Sequence, residues 1–201
     1  MSPLDLLVAA PLGFMLAALA LGGQGRWLIL LASPLMMGLA IWLAVLPPEA
    51  AHVVGGWDLP LGILLRGDGV ARLFVLGAAL CAALVGLHAL HEFSPRGGGL
   101  SARNRGFWPL FYLLWAGANA GFLTTDLFNL YVALEMVSLA GVGLSALGSL
   151  QAALRYFLIA LMGSLAYLLG VALLFANYGT VDVTLLARTV EADAATVLAL
   201  A

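Results

Sequence analysis

Glu135 is a carboxylate set inside an apolar run that extends from Leu127 to Leu147. It follows Asp126 by nine residues, which is about 13 Å along a helix and close to the middle of a ~30 Å hydrocarbon core. An acid at that depth costs on the order of 2.5–3.5 kcal/mol on insertion scales. Such acids carry protons or ions, or are static carboxyls satisfied by neighbouring helices. Tyr131, Ser138 and Ser145 lie four, three and ten residues from Glu135 and form a polar stripe with it. These residue types suit proton uptake and release by the carboxyl, with hydroxyls along its face.

Other polar residues admit two readings. Asp126 and Asn129 stand at the head of the same run, either as a proton entry or exit site or as a helix cap with its bonded neighbour. Arg155 opens the next apolar run. It is a relay partner or counter-ion to Glu135, or a snorkelling anchor. His88 and His91, followed by Glu92, have a spacing that suits a metal or a proton path. At the end of a span beside a glycine-rich linker they read as solvated instead. Gly117 and Gly121 form a small-xxx-small pair for close helix packing, with Asn119 between them to bond across helices or hold water. No phosphate loop with lysine, CxxC pair or nucleophilic triad is present. The reading is of no cofactor, no metal and no catalytic chemistry in this chain.

These residues require helices to position them, and the composition supplies the setting. The chain has 201 residues, 64% hydrophobic and 9% charged, too little charge to cover a water-facing surface. A net charge of −2 excludes a nucleic-acid partner. The eight basic residues are all arginine, which stays protonated, and the single Cys81 forms no internal disulfide. Apolar runs predict six membrane spans, near 4–21, 27–46, 70–90, 107–123, 127–147 and 152–175, with the start of a seventh from Ala194. The first run has Asp5 and no basic flank, and reads as a retained span rather than a signal peptide. The fold class is therefore an all-α polytopic membrane protein forming one transmembrane domain over 1–201. An interfacial loop or hairpin with Trp57 is expected over 49–68, and polar loops over 91–106 and 177–193. Loops taken alternately place Arg26, Arg96, Arg103, Arg105 and Arg155 on one side and Arg66, Arg72 and Arg188 on the other. The first set then faces the cytoplasm and the N-terminus lies outside.

The run Gly117-Ala118-Asn119-Ala120-Gly121-Phe122-Leu123-Thr124-Thr125-Asp126-Leu127-Phe128-Asn129-Leu130-Tyr131-Val132, followed by Glu135, resembles the antiporter-like subunits of respiratory complex I and Mrp-type cation/proton antiporters. Within that family it is most similar to the Mrp D subunits. Gly62 to Gly69, Leu154-Arg155-Tyr156-Phe157-Leu158 and Gly179-Thr180-Val181-Asp182 agree with the same family.

The resemblance implies a bundle built from two inverted repeats. In it Glu135 pairs with a lysine of the seventh helix and relays protons along the membrane centre. It also implies partner membrane subunits, a prokaryotic inner membrane, and protons and sodium as the transported ions. The alternatives are a proton-pumping subunit of a complex I-like or hydrogenase assembly, whose oxidoreductase chemistry belongs to partners, and an inactive remnant. Arg155 stands where many relatives have lysine, which argues against its releasing a proton. No seventh-helix lysine precedes Ala201, so the expectation is a fragment or one part of a split subunit.

Overall fold

The computed structural model describes residues 2–47, 50–54, 62–92 and 102–189. Helix α1 spans Pro3–Leu21 and α2 spans Ile29–Val45, joined by a 3₁₀ turn at Gly22–Leu28. Strands β1 (Ala51–Val54) and β2 (Ile63–Arg66) form an antiparallel hairpin, with His52 opposite Leu65 and Val54 opposite Ile63. Then come α3 (Gly69–Glu92), α4 (Ala102–Leu123), α5 (Leu127–Ala146), α6 (Leu150–Tyr178) and the short α7 (Val183–Thr189).

Four stretches are long and apolar enough to cross a membrane: Pro3–Val45, Gly69–Glu92, Leu127–Ala146 and Leu150–Tyr178. The first has 43 residues, about twice what one crossing needs. The 3₁₀ turn folds it in two. A side chain on Gly25 would begin 2.8 Å from the Ala18 Cα, so the turn lies directly on the end of α1 and admits only glycine there. Helix α4 is not among the four stretches. Its apolar character is largely aromatic, from Trp108, Tyr112 and Trp115, and it carries Asn119, all of them buried. It is the central helix, touching α1, α3 and α5. The protein is an all-α polytopic membrane protein with a small hairpin at one end.

The core lies among α1–α4, where Leu7, Ile29, Met36, Leu43, Trp108 and Tyr112 are fully buried. Helix α5 packs on α4, and α6 packs on α5. Outward-facing Leu158, Ile159, Met162, Leu165 and Leu169 cover much of α6, an exposure that suits lipid or another protein but not water.

Two polar contacts brace this core. Pro11 sits inside α1 and has no N–H for the carbonyl of Leu7, four residues earlier. The Asn119 amide, wholly buried on α4, donates to that carbonyl at 2.8 Å. Asn119, expected from the sequence to bond across helices or hold water, thus takes the first role with a specific target.

Arg72 performs a similar task at the end of α2. Its guanidinium donates to Gly67 O at 2.7 Å, to Leu46 O at 2.8 Å and to the Pro47 carbonyl. It satisfies the carbonyls of Leu46, the C-cap of α2, and of Pro47 just beyond it, and complements the negative dipole end of the helix. A lysine ammonium lacks this planar fork. Arg72→Lys is therefore expected to destabilise the protein nearly as much as Arg72→Ala, by about 1–3 kcal/mol, as read from the detergent thermal midpoint. A lysine variant of unchanged midpoint would show that charge alone suffices.

Several boundaries differ from the sequence expectation. Helix α4 begins at Ala102 rather than near Phe107, so Arg103 and Arg105 stand on a helix. Helix α3 runs on through His88, His91 and Glu92. The described residues of the polar segment 91–106, namely 91–92 and 102–106, are thus helix ends, since polar side chains at a span's terminus extend the helix into the interface. The polar loop expected over 177–193 holds α7, nucleated by Asp182 as described below. Trp57, Arg96 and the expected start of a seventh span at Ala194 lie outside the described residues.

Candidate functional site

Asp126 starts α5. Its carboxylate accepts the Asn129 N–H at 2.6 Å, and the Asn129 side-chain amide donates to Thr124 Oγ1 at 3.0 Å. Both residues therefore act in a cap, and both also line space. A cavity of about 470 Å³ is bordered by Asp5, His52, Leu65, Asn129, Val132 and Met136. Another of about 600 Å³ is bordered by Asp126, Asn129, Val132, Leu168 and Phe175. Asn129 and Val132 line both, so the hairpin end of α5 is open on two flanks.

Glu135 lies eight residues into α5 and is half-buried. Its Oε1 accepts a hydrogen bond from the Ser164 hydroxyl of α6. One turn nearer the hairpin, the Tyr131 ring stacks on Tyr167, with centroids 6.4 Å apart and planes at 12°. The Tyr167 hydroxyl donates to Leu127 O at 3.2 Å. A polar seam thus runs between α5 and α6, with Asp126 at its head, the two tyrosines next, and Glu135 with Ser164 deepest. Ser138 is half-buried one turn beyond Glu135 and is not hydrogen-bonded to it among the described residues. Arg155 is exposed on α6, nine residues from Ser164. The structure thus brings Glu135 and Tyr131 together through α6, and leaves Arg155 at the far end. His88 and His91 are exposed, and no group of three metal-ligating side chains occurs among the described residues.

Close packing of α4 sets the other side of α5. A Cβ on Gly117 would lie 3.0 Å from both Met136 Cβ and Val137 Cγ2 and 3.1 Å from Ala133 O. The absent side chain lets the two helices approach beside Glu135. Gly121 has ordinary room, with its nearest neighbour at 3.6 Å, so only Gly117 of the pair is sterically required.

The sequence reading missed Ser164 and Tyr167. They sit three residues apart in an apolar helix, and the polar-stripe test applied to α5 would have found them on α6. It also missed the role of Asp182, since one of its partners, Thr125, comes from a distant segment. Asp182 is buried. It accepts the Thr184 and Leu185 N–H groups at 2.8 and 3.1 Å, the Thr125 hydroxyl at 2.9 Å and the Thr184 hydroxyl. Backbone bonds from Leu127 N to Val181 O and from Val183 N to Thr125 O, both 2.9 Å, complete the clamp.

Burial by itself would raise the Asp182 carboxyl, but the hydroxyls of Thr184 and Thr125 and the two N–H groups outweigh it and hold the carboxyl below its ordinary value. The depressed value means that this stabilisation is fully present above the unfolded carboxyl's titration near pH ~4 and is lost as pH falls through the folded value. Wild type is expected to lose stability below about pH 4 more steeply than Asp182→Asn, as read from thermal midpoints against pH. Equal slopes would show that the clamp does not depend on charge.

A further contact joins segments remote in sequence. His52 Nε2 lies 3.1 Å from Asp5 Oδ2, and Asp5 also accepts the Ser2 N–H at 3.0 Å in the capping box of α1.

Comparison with known proteins agrees with this arrangement. A family model described as NADH:quinone oxidoreductase/Mrp antiporter, TM, matches residues 124–201. The D subunit of the Na(+)/H(+) antiporter of Bacillus subtilis is 35% identical over 134 residues, 64% of this chain and 26% of that protein. The D subunit of a probable K(+)/H(+) antiporter of Rhizobium meliloti is 33% identical over 181 residues, 86% of this chain and 32% of that protein. Among solved structures, a chain of an archaeal membrane-bound sulfane sulfur reductase superposes with a TM-score of 0.84 at 26% identity, covering 98% of this chain and 42% of that one. A chain of the Mrp complex from Dietzia sp. DQ12-45-1b gives 0.78 at 26% identity, covering 98% and 38%. The chain therefore spans less than half the length of each of these relatives. The described helices, the seam between α5 and α6 and these likenesses lead to one statement: the chain belongs to the antiporter-like subunit family shared by Mrp antiporters and complex I, on the side of the Mrp D subunits.

Proposed function

We propose that the chain is part of a proton-translocating membrane subunit of a multisubunit cation/proton antiporter, with Glu135 as its intramembrane proton site. The observation that carries this reading is the setting of Glu135. It is a carboxylate about 12 Å into an apolar helix, bonded to a hydroxyl of the next helix, below an end of α5 flanked by two cavities. Asp126 and Tyr131 lead toward it, Ser138 continues its face, and Arg155 anchors the opposite end of α6. The transported ions are protons and sodium, and the assembly comprises other membrane subunits in a prokaryotic cytoplasmic membrane.

Six spans, α1–α6, fit this reading, with the N-terminus and the hairpin outside. Arg26, Arg103, Arg105 and Arg155 then lie at the cytoplasmic end, as the positive-inside bias favours. A second reading, a membrane-arm subunit of a redox-driven complex, is favoured by the TM-score of 0.84 with the sulfane sulfur reductase chain. The sequence likeness supports the first, since the D-subunit relatives reach 33–37% identity against 26% for that chain.

Infrared difference spectroscopy in membranes tests the proton site. A carboxyl band that changes when a proton gradient is imposed across the membrane and is missing in Glu135→Gln is the expected result. No such change would make Glu135 a static carboxyl.

A further inference from the structure

A serine in the middle of a helix ordinarily turns its hydroxyl back to the carbonyl four residues earlier. Ser164 instead reaches across to Glu135 Oε1. It lies 14 residues into α6, and Glu135 lies eight residues into α5, so the contact is remote from the turn that joins the helices. The register of the two helices is set nearby by another pair. Tyr167 donates to Leu127 O and stacks on Tyr131. Loss of the Ser164 hydroxyl would therefore leave the helices in place.

We infer that Ser164 is a positioning residue for Glu135: its hydroxyl holds the ionised carboxylate against α6, and protonation of the carboxylate releases it. The inference rests on the reading of Glu135 as a proton site and adds how its proton state becomes movement. A hydrogen bond to a carboxylate is about twice as strong as one to a neutral acceptor. Taking up a proton weakens the tie to α6 and frees the carboxyl to turn toward the cavity that reaches Met136. The titratable groups on this seam besides Glu135 are Tyr131 and Asp126 on α5 and Tyr167 and Tyr156 on α6, the last with its hydroxyl against Gly141 of α5, and Arg155 lies further along α6. Helix α4 meets α5 here at Gly117 and brings no charged side chain to this level among the described residues.

The test uses the assembled antiporter in everted membrane vesicles. Ser164→Ala is expected to lower coupled proton transport about tenfold or more, the equivalent of one charge-assisted hydrogen bond, with the amount of assembled complex unchanged. Ser164→Thr, which keeps the hydroxyl, is expected to restore most of the rate. The carboxylate stretching bands of Glu135, identified by their absence in Glu135→Gln, should shift in Ser164→Ala and return in Ser164→Thr. Wild-type transport in Ser164→Ala overturns the inference. So does slow transport with unshifted bands, or a threonine variant that restores neither. If Glu135→Gln itself transports normally, the proton-site reading falls first. A Ser164→Ala variant that transports normally beside an inactive Glu135→Gln removes only the role of Ser164.

Discussion

Glu135→Gln is expected to stop coupled translocation, with a loss of at least about 100-fold in proton flux, while the protein becomes no less stable. The two directions follow from one change. Glutamine keeps the length of the side chain and an oxygen that can accept the Ser164 hydroxyl, so the α5–α6 seam stays closed. It has no proton to give, so the relay is broken. It also carries no charge, which removes a burial cost on the order of 2.5–3.5 kcal/mol on insertion scales. A pH-sensitive dye in everted vesicles reads the flux, and the detergent thermal midpoint reads stability. Glu135→Asp retains the proton but withdraws it toward α5, and should fall between wild type and glutamine. A glutamine variant that is both active and unaltered in stability would make the carboxyl a bystander. One that is inactive only because it fails to assemble would show a lower midpoint, the opposite of the expected change.

The second large effect concerns Asn119. Asn119→Ala should destabilise the protein by about 1–3 kcal/mol, the penalty for leaving a buried carbonyl without a donor. The orphan would be the Leu7 carbonyl, which lost its helical partner to Pro11. Inside a bundle, only another helix can replace that donor. The two positions are therefore expected to be coupled. In a Pro11→Ala background the backbone N–H regained at that position can serve Leu7 O, and Asn119→Ala should cost much less than in wild type. A double-mutant cycle on thermal midpoints measures the difference. Additive losses would mean that the asparagine matters for its volume in the core and not for the carbonyl of α1.

Much of this architecture could be read from the residues alone, and the exceptions have a common cause. Helices follow from runs of apolar residues, which are local, so the places of α1–α6 in the chain were legible. Asp126 as a cap is local too, since its acceptor and the Asn129 N–H lie within one turn. The position of Glu135 eight residues into α5 needed only counting. What escaped was long-range. Ser164 meets Glu135 across 29 residues of sequence, and Thr125 meets Asp182 across 57. The seam of α5 was visible as a stripe on one helix, but a stripe does not say which neighbour faces it. Helix α7 escaped because its polar segment reads as a loop until Asp182 is seen capping it from a clamp held by α5. The boundaries of α3 and α4 were misplaced inward for another reason. Hydropathy reports where lipid ends, whereas a helix ends where its backbone donors and acceptors find other partners.

The clamp at Asp182 belongs to a continuous line of backbone bonds. Gly67 N reaches Ala50 O, Thr125 N reaches Leu64 O, Leu127 N reaches Val181 O and Val183 N reaches Thr125 O. The hairpin, the turn before α5 and the turn after α6 are thereby sewn together at one end of the bundle. Nothing comparable joins α5 to α6 at the other end beyond the short turn at Leu147–Ser149 among the described residues. The sewn end and the turn thus close both ends of the α5–α6 pair. Glu135 lies between them, eight residues from the first residue of α5 and eleven from its last, so at its level the two helices are held by side chains, Ser164 to Glu135 and Tyr167 to Tyr131.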